Sequence, residues 1–312
     1  MNQETPPTTP TAQWEPKTAR ETNRPQKEAK GGFKVKVLVG VIGAPIVAWA
    51  IIWGPYWLLA TAIFAATCLA LYETGYLLFE TGETRHKVLV FPAGLALFAA
   101  TAWGGLEMAA VGVAVIAAVL MALVLLERDL KKIPQSLSKL VFGSIYAGML
   151  PAMLLILKRL EQPSGVKWLF LLFLLVWLCD AGAYFAGRSL GKTPMAPRIS
   201  GKKTVEGLVG GVVASLLAGL ICGWAIDALT WVDGLILGLM GALLGPVGDL
   251  VESALKRAAG VKDSGTLLPG HGGILDRLDA ILFVAPFFLL FVAVRFPDAL
   301  SALTLPFGNP AG

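Results

Sequence analysis

Asp249, Glu252, Ser253 and Lys256 recur at i, i+3, i+4 and i+7, a spacing that puts four polar side chains on one face of a helix in an otherwise apolar stretch. Further along, Asp276 and Asp279 share a second helix face at i and i+3. Carboxylates grouped in this way offer the hard oxygen ligands that Mg2+ takes, leaving its other positions to water and substrate phosphate. Asp180 adds a fifth carboxylate, directly after the apolar run Trp168–Cys179. A carboxylate at membrane depth costs about 2.5–3.5 kcal/mol, so it has either a function or a partner. Arg188, two helical turns on, is the partner that would account for Asp180 without a function.

Cations accompany the acids. Arg188, Lys192, Arg198, Lys202 and Lys203 stand with Ser200 and Thr204 in one polar segment, and Arg257, Lys262 and Arg277 flank the second acidic cluster. Guanidinium, ammonium and hydroxyl donors suit phosphate oxygens. Gly191-Lys192-Thr193 and Gly201-Lys202-Lys203-Thr204 resemble the end of a nucleotide-binding P-loop, but Ala186 and Ala196 stand where the earlier glycine belongs. No preceding strand is predicted either, which excludes that motif. Gly245-Pro246-Val247-Gly248 before Asp249 predicts an interrupted helix at the acidic face. His271, within Pro269-Gly270-His271-Gly272-Gly273, reads as a turn residue as readily as a catalytic one, and no general-base duty is assigned to it.

The elements that must position these groups are membrane helices. Of 312 residues, 56% are apolar and 15% charged, against about 25% charged in soluble domains. A hydrocarbon core about 30 Å thick takes about 20 apolar residues per span. Such stretches fall at 37–53, 56–79, 88–103, 105–126, 140–157, 168–187, 207–229, 232–252 and 279–296. The fold class is therefore all-α, a polytopic membrane protein of about nine helices, with 88–126 either two spans joined at Gly104-Gly105 or one long re-entrant element. Residues 1–33, rich in Pro, Thr, Glu and Lys, are expected to be a disordered tail. Residues 34–165 read as a transmembrane scaffold, 166–300 as the catalytic region and 301–312 as a short tail.

All of the 26 Lys and Arg except Lys158, Arg159, Lys167 and Arg295 fall on one side of these spans, together with the N-terminus. The positive-inside rule makes that side cytoplasmic. Basic residues scattered between apolar runs, without an aromatic-interleaved stripe, exclude nucleic acid as a partner. Cys68, Cys179 and Cys222 lie singly within apolar runs and predict no disulfide or metal site. The first apolar run lacks a cleavage signal and is expected to stay as an anchor.

Ser253-Ala-Leu-Lys256-Arg257, then Lys262-Asp263, then His271-Gly272-Gly273-Ile-Leu-Asp276-Arg277-Leu-Asp279 resembles the signature of the phosphatidate cytidylyltransferase family, also called CDP-diacylglycerol synthases. Asp180-Ala-Gly-Ala-Tyr-Phe-Ala-Gly-Arg188 and Ser200-Gly-Lys-Lys-Thr204-Val-Glu206-Gly207 are similar to upstream segments of that family, with Gly201 where many members have proline. The likeness covers roughly residues 175–285; the earlier spans resemble the family only in being apolar.

The resemblance implies condensation of phosphatidate with CTP to give CDP-diacylglycerol and pyrophosphate, in a bacterial inner membrane, with the site facing the cytoplasm. It implies a divalent metal, taken as Mg2+, and leaves open a second cation. Asp249 and Asp276 are the expected ligands, assisted by Asp279 and Asp180. Lys202, Lys203, Lys256, Arg257 and Arg277 are expected to hold the phosphates of both substrates, with Ser200, Thr204 and Ser253 adding hydroxyls and Lys262 and His271 completing the set. Membrane lipids are the surrounding partners, and a homodimer is compatible with this reading. Two rivals differ in class. A CDP-alcohol phosphotransferase needs a D-G-x2-A-R motif that Asp180-Ala-Gly does not supply. An ion-coupled secondary transporter could use Asp180 and Asp249, but it leaves the basic segments unexplained.

Overall fold

A computed structural model describes residues 43–80, 83–125, 127, 129–160, 164–265 and 272–301. The tail 1–33, nearly all of 301–312 and His271 lie outside the described residues. A short apolar helix, α1 (Gly43–Ile52), is followed by α2 (Tyr56–Leu78) and α3 (Thr84–Val124). Next come α4 (Ile133–Ser144) and α5 (Leu150–Arg159), joined through a π-helical turn at Ile145–Met149 into one span, and then α6 (Gly165–Leu190). A small antiparallel hairpin, β1 (Pro194–Ala196) and β2 (Ser200–Thr204), precedes α7 (Val205–Ala225), α8 (Trp231–Ala258), α9 (Leu275–Arg295) and the single-turn α10 (Pro297–Ser301). Among the described residues, seven helices are long and apolar enough to cross a bilayer, and helices satisfy their backbone groups internally, as lipid demands.

Straight, the 41 residues of α3 would run about 60 Å, twice the hydrocarbon thickness. Instead Gly105 breaks it, at φ 67° and ψ −159°, a conformation that a residue without Cβ adopts at no steric cost. The two legs fold back on each other, so that Arg85 Nη2 donates to Leu123 O at 3.4 Å. The 88–126 stretch is thus a helical hairpin bent at the glycine pair.

The interruption expected in α8 does not occur. Its backbone is helical from Trp231 to Ala258 with Pro246 inside. Proline removes one hydrogen bond of the ladder, and the helix absorbs that loss. The neighbouring glycine serves packing instead: a Cβ on Gly248 would stand 2.6 Å from Asp279 O and 2.7 Å from Phe283 Cβ. Its absence lets α8 lie directly on the first turns of α9, which brings Asp249 beside Asp279.

Below the polar end, Trp168, Leu172 and Leu175 of α6 pack with Leu157 of α5 and Phe288 of α9 in one fully buried cluster. Between membrane helices such contacts stabilise through close van der Waals packing, since lipid is as apolar as these side chains. The cluster fixes α6 and α9 against each other, and with them the carboxylates they carry.

Candidate active site

Helix α8 presents Asp249, Glu252 and Lys256 to α9, which presents Asp276, Arg277 and Asp279, while Asp180 projects from the second half of α6. Asp249, Glu252 and Asp279 each offer a carboxylate oxygen within 4.8 Å of the others. Glu252 is fully buried and Asp279 nearly so. Lys256 Nζ donates to Glu252 Oε2 at 2.5 Å and also binds Asp276 Oδ1. Among the described residues, nothing hydrogen-bonds Glu252 Oε1, and a buried polar atom left so costs about 1–3 kcal/mol. Three clustered oxygen donors with one lone pair set unmatched have the chemistry of a divalent-cation site.

Asp276, expected as a metal ligand, stands apart from this trio. Its Oδ2 accepts from Ser264 N at 3.1 Å, Ser264 Oγ at 3.0 Å and Gly273 N at 2.8 Å, and its Oδ1 meets Lys256. These contacts tie Asp276 to Lys256, to Ser264 and to the backbone just before α9. Glu252, quoted in the sequence as part of the polar face, takes the third place beside Asp249 and Asp279.

Two cavities meet at the carboxylates. One, of about 310 Å3, is lined by Glu252, Lys256, Asp276, Arg277 and Asp279 with Trp177. The other, of about 480 Å3, is lined by Tyr184, Arg188, Met195, Lys202, Lys203 and Thr204 with Leu208 and Pro246. Asp180 and Asp249 face both. Arg188 Nη1 contacts the Tyr184 hydroxyl at 2.8 Å, so the structural pairing considered for Asp180 is not the one made. Lys203 Nζ lies 2.5 Å from Asp249 Oδ2, and Ser253 Oγ donates to Asp249 Oδ1 at 3.3 Å.

The remaining expected residues hold the frame. Thr204 Oγ1 accepts from Gly207 N at 3.1 Å and caps α7. Glu206 accepts from the backbone N–H groups of Lys192 and Thr193, both at 3.1 Å, and closes the loop that carries the hairpin. Arg257 donates to Ile199 O at 3.3 Å and to Val261 O at 3.0 Å, tying the hairpin turn to α8. Ser200 opens β2 and Lys262 is exposed; neither lines a cavity.

Sequence reasoning missed one residue altogether. Glu73, on α2 and 2% exposed, accepts from Ser264 Oγ, Ile274 N and Leu275 N, each at 2.9 Å. The signal was present, since Glu73 is a carboxylate inside an apolar run just as Asp180 is.

A model of the cytidylyltransferase family matches residues 34–295. The chain belongs to the cytidylyltransferase family. Within it, the phosphatidate cytidylyltransferase of Bacillus subtilis (strain 168) is 43% identical over 156 residues, which cover 50% of this chain and 58% of that one. That of Synechocystis sp. is 47% identical over 136 residues, 43% of this chain and 46% of the relative. That of Staphylococcus saprophyticus is 49% identical over 127 residues, 40% and 48%. The matched stretches span about half the length of these relatives.

Proposed function

We propose that this cytidylyltransferase-family protein transfers the cytidylyl group of CTP to the phosphate of phosphatidate, giving CDP-diacylglycerol and pyrophosphate. The observation that carries the reading is the pair of cavities sharing Asp180 and Asp249, each with its own cations: Arg188, Lys202 and Lys203 in one, Lys256 and Arg277 in the other. Two phosphate-bearing substrates held on either side of shared carboxylates are what a nucleotidyl transfer needs. The names of the relatives supply the identity of the substrates.

A phosphate oxygen of phosphatidate attacks the α-phosphorus of CTP; the new P–O bond forms as the bond to the β-phosphate bridging oxygen breaks, and pyrophosphate leaves. The nucleophile is already anionic, so no strong base is required and catalysis rests on positioning and charge neutralisation. Asp249, Glu252 and Asp279 fit Mg2+, which when bound neutralises and orients phosphate oxygens. Asp180 is proposed to assist from the shared wall, and Asp276 to hold Lys256 toward the phosphates. The division into a scaffold over 34–165 and a catalytic region over 166–300 is kept in this proposal, with Glu73 as a contribution from the scaffold. The site end is proposed to face the cytoplasm of a bacterial inner membrane, where CTP is available and lipid phosphate lies at headgroup depth.

The test is the fate of labelled CTP with purified protein and phosphatidate in mixed micelles. Label on the α-phosphate is expected in lipid, and label on the γ-phosphate in pyrophosphate. Absence of any labelled lipid at every Mg2+ concentration tried would falsify the assignment and send attention to flux across sealed vesicles.

A further inference from the structure

Helices α8 and α9 carry most of the site, yet α9 begins without a side-chain cap of its own: Ile274, at the N-cap position, supplies none. The first N–H groups of a helix need acceptors. Here they are found more than 200 positions back along the chain. Glu73 Oε1 accepts from Ile274 N and Glu73 Oε2 from Leu275 N, so the start of α9 is capped by α2. The carboxyl group also faces the positive end of the helix dipole.

Glu73 reaches further. Its Oε2 lies 2.9 Å from Ser264 Oγ, and the same hydroxyl lies 3.0 Å from Asp276 Oδ2. From Asp276 the contacts pass to Lys256 and from Lys256 to Glu252, one of the three clustered carboxylates. Packing around Glu73 is close: a Cβ on Gly265 would stand 2.6 Å from its Oε1. Along this path the Ser264 hydroxyl, with its single proton, donates to Glu73 or to Asp276, and the remaining links are ion pairs between buried or half-buried groups.

We propose that Glu73 is a positioning residue for the active site: through Ser264 and the capped start of α9 it sets Asp276 and Lys256, and thereby the Glu252 carboxylate that faces the metal and phosphates. The inference rests on the cytidylyl-transfer reading and adds to it a residue from the half of the chain that otherwise looks like scaffold.

Glu73→Gln keeps the shape but turns one acceptor oxygen into a donor facing a donor. Groups that orient metal ligands typically change metal affinity or activity about 10–100-fold when altered. In Glu73→Gln, kcat is expected to fall by about that factor, while KM for phosphatidate stays near wild type and the thermal midpoint in detergent falls modestly, because a buried donor is left facing a donor. Binding of Mn2+ alone, read by electron paramagnetic resonance, is expected to weaken in parallel. Ser264→Ala should give a smaller loss of the same kind, and the double variant should lose less than the product of the two, because both act through one hydroxyl. Glu107→Gln, the same change at an exposed position of α3, should alter neither readout. Should Glu73→Gln aggregate, Ser264→Ala decides alone. A folded variant with wild-type kcat and Mn2+ affinity overturns the inference, as does a double variant whose losses simply multiply. A wild-type protein that makes no labelled lipid instead overturns the reading beneath it.

Discussion

The two ends of the helix bundle use charge in opposite ways. At the end remote from the site, three cations have structural partners: Arg295 Nε lies 3.1 Å from Asp233, Lys158 Nζ donates to Ile51 O at 2.6 Å, and Arg159 donates to Ala102 O at 2.8 Å. The carbonyls sit where α1 and the first leg of α3 end, so these cations complete helix termini and meet the negative ends of their dipoles. Asp233 in turn forms a capping box with Thr230 at the start of α8. At the site end, three carboxylates crowd together, Glu252 Oε1 is buried without a hydrogen-bond partner among the described residues, and cations line two cavities. The remote charges finish the fold. The site charges are gathered against their own repulsion, which the proposed cation and substrate phosphates would relieve.

That contrast yields graded expectations. Asp249→Asn should have the largest effect, lowering the rate of cytidylyl transfer by about 10³-fold, because a metal contributes several kcal/mol and each 1.36 kcal/mol is tenfold; the thermal midpoint should not fall. Chelation of divalent metal should abolish turnover to a similar degree, with Mg2+ restoring it. Lys203→Met comes next, with about a 10²-fold loss, of the size seen when one donor to developing charge is removed, measured as kcat/KM for CTP. At the remote end the order of effects reverses. Thr230→Ala should cost about 1 kcal/mol of stability through the lost cap, and turnover should stay within about twofold of wild type, a change worth only a few tenths of a kcal/mol. Arg295→Met, at a partly exposed pair, should cost less still, within about 0–1 kcal/mol. A remote variant that stops catalysis while folded, or a site variant that only lowers stability, breaks the contrast.

Much of this was legible in the sequence, for reasons that also explain what was not. Hydropathy marks membrane helices because lipid forbids unpaired backbone, and the Gly104-Gly105 pair marked the bend of α3. The i, i+3, i+7 spacing from Asp249 gave the α8 face correctly, since helix geometry alone fixes it. The expected break at Pro246 failed because a single missing donor is a local loss, whereas the contact of Gly248 with α9 depends on a neighbour that the sequence does not name. The short β1–β2 hairpin is too brief and too polar for a period-two pattern. Glu252 was not singled out beside Asp249 and Asp279 because spacing tells which residues share a face but not which oxygens meet across two helices. Glu73 was missed because its partners lie some two hundred positions away, and no local pattern joins α2 to the start of α9.

The central claim is that Asp249, Glu252 and Asp279 hold a divalent cation between two phosphate sites. Its most direct test is a calorimetric titration of Mg2+, with CTP present, into wild-type protein and Asp279→Asn in the same micelles. The account predicts one class of Mg2+ site, weakened at least about tenfold in the variant while its thermal midpoint holds. Equal affinity in both folded proteins would place the cation elsewhere and contradict it.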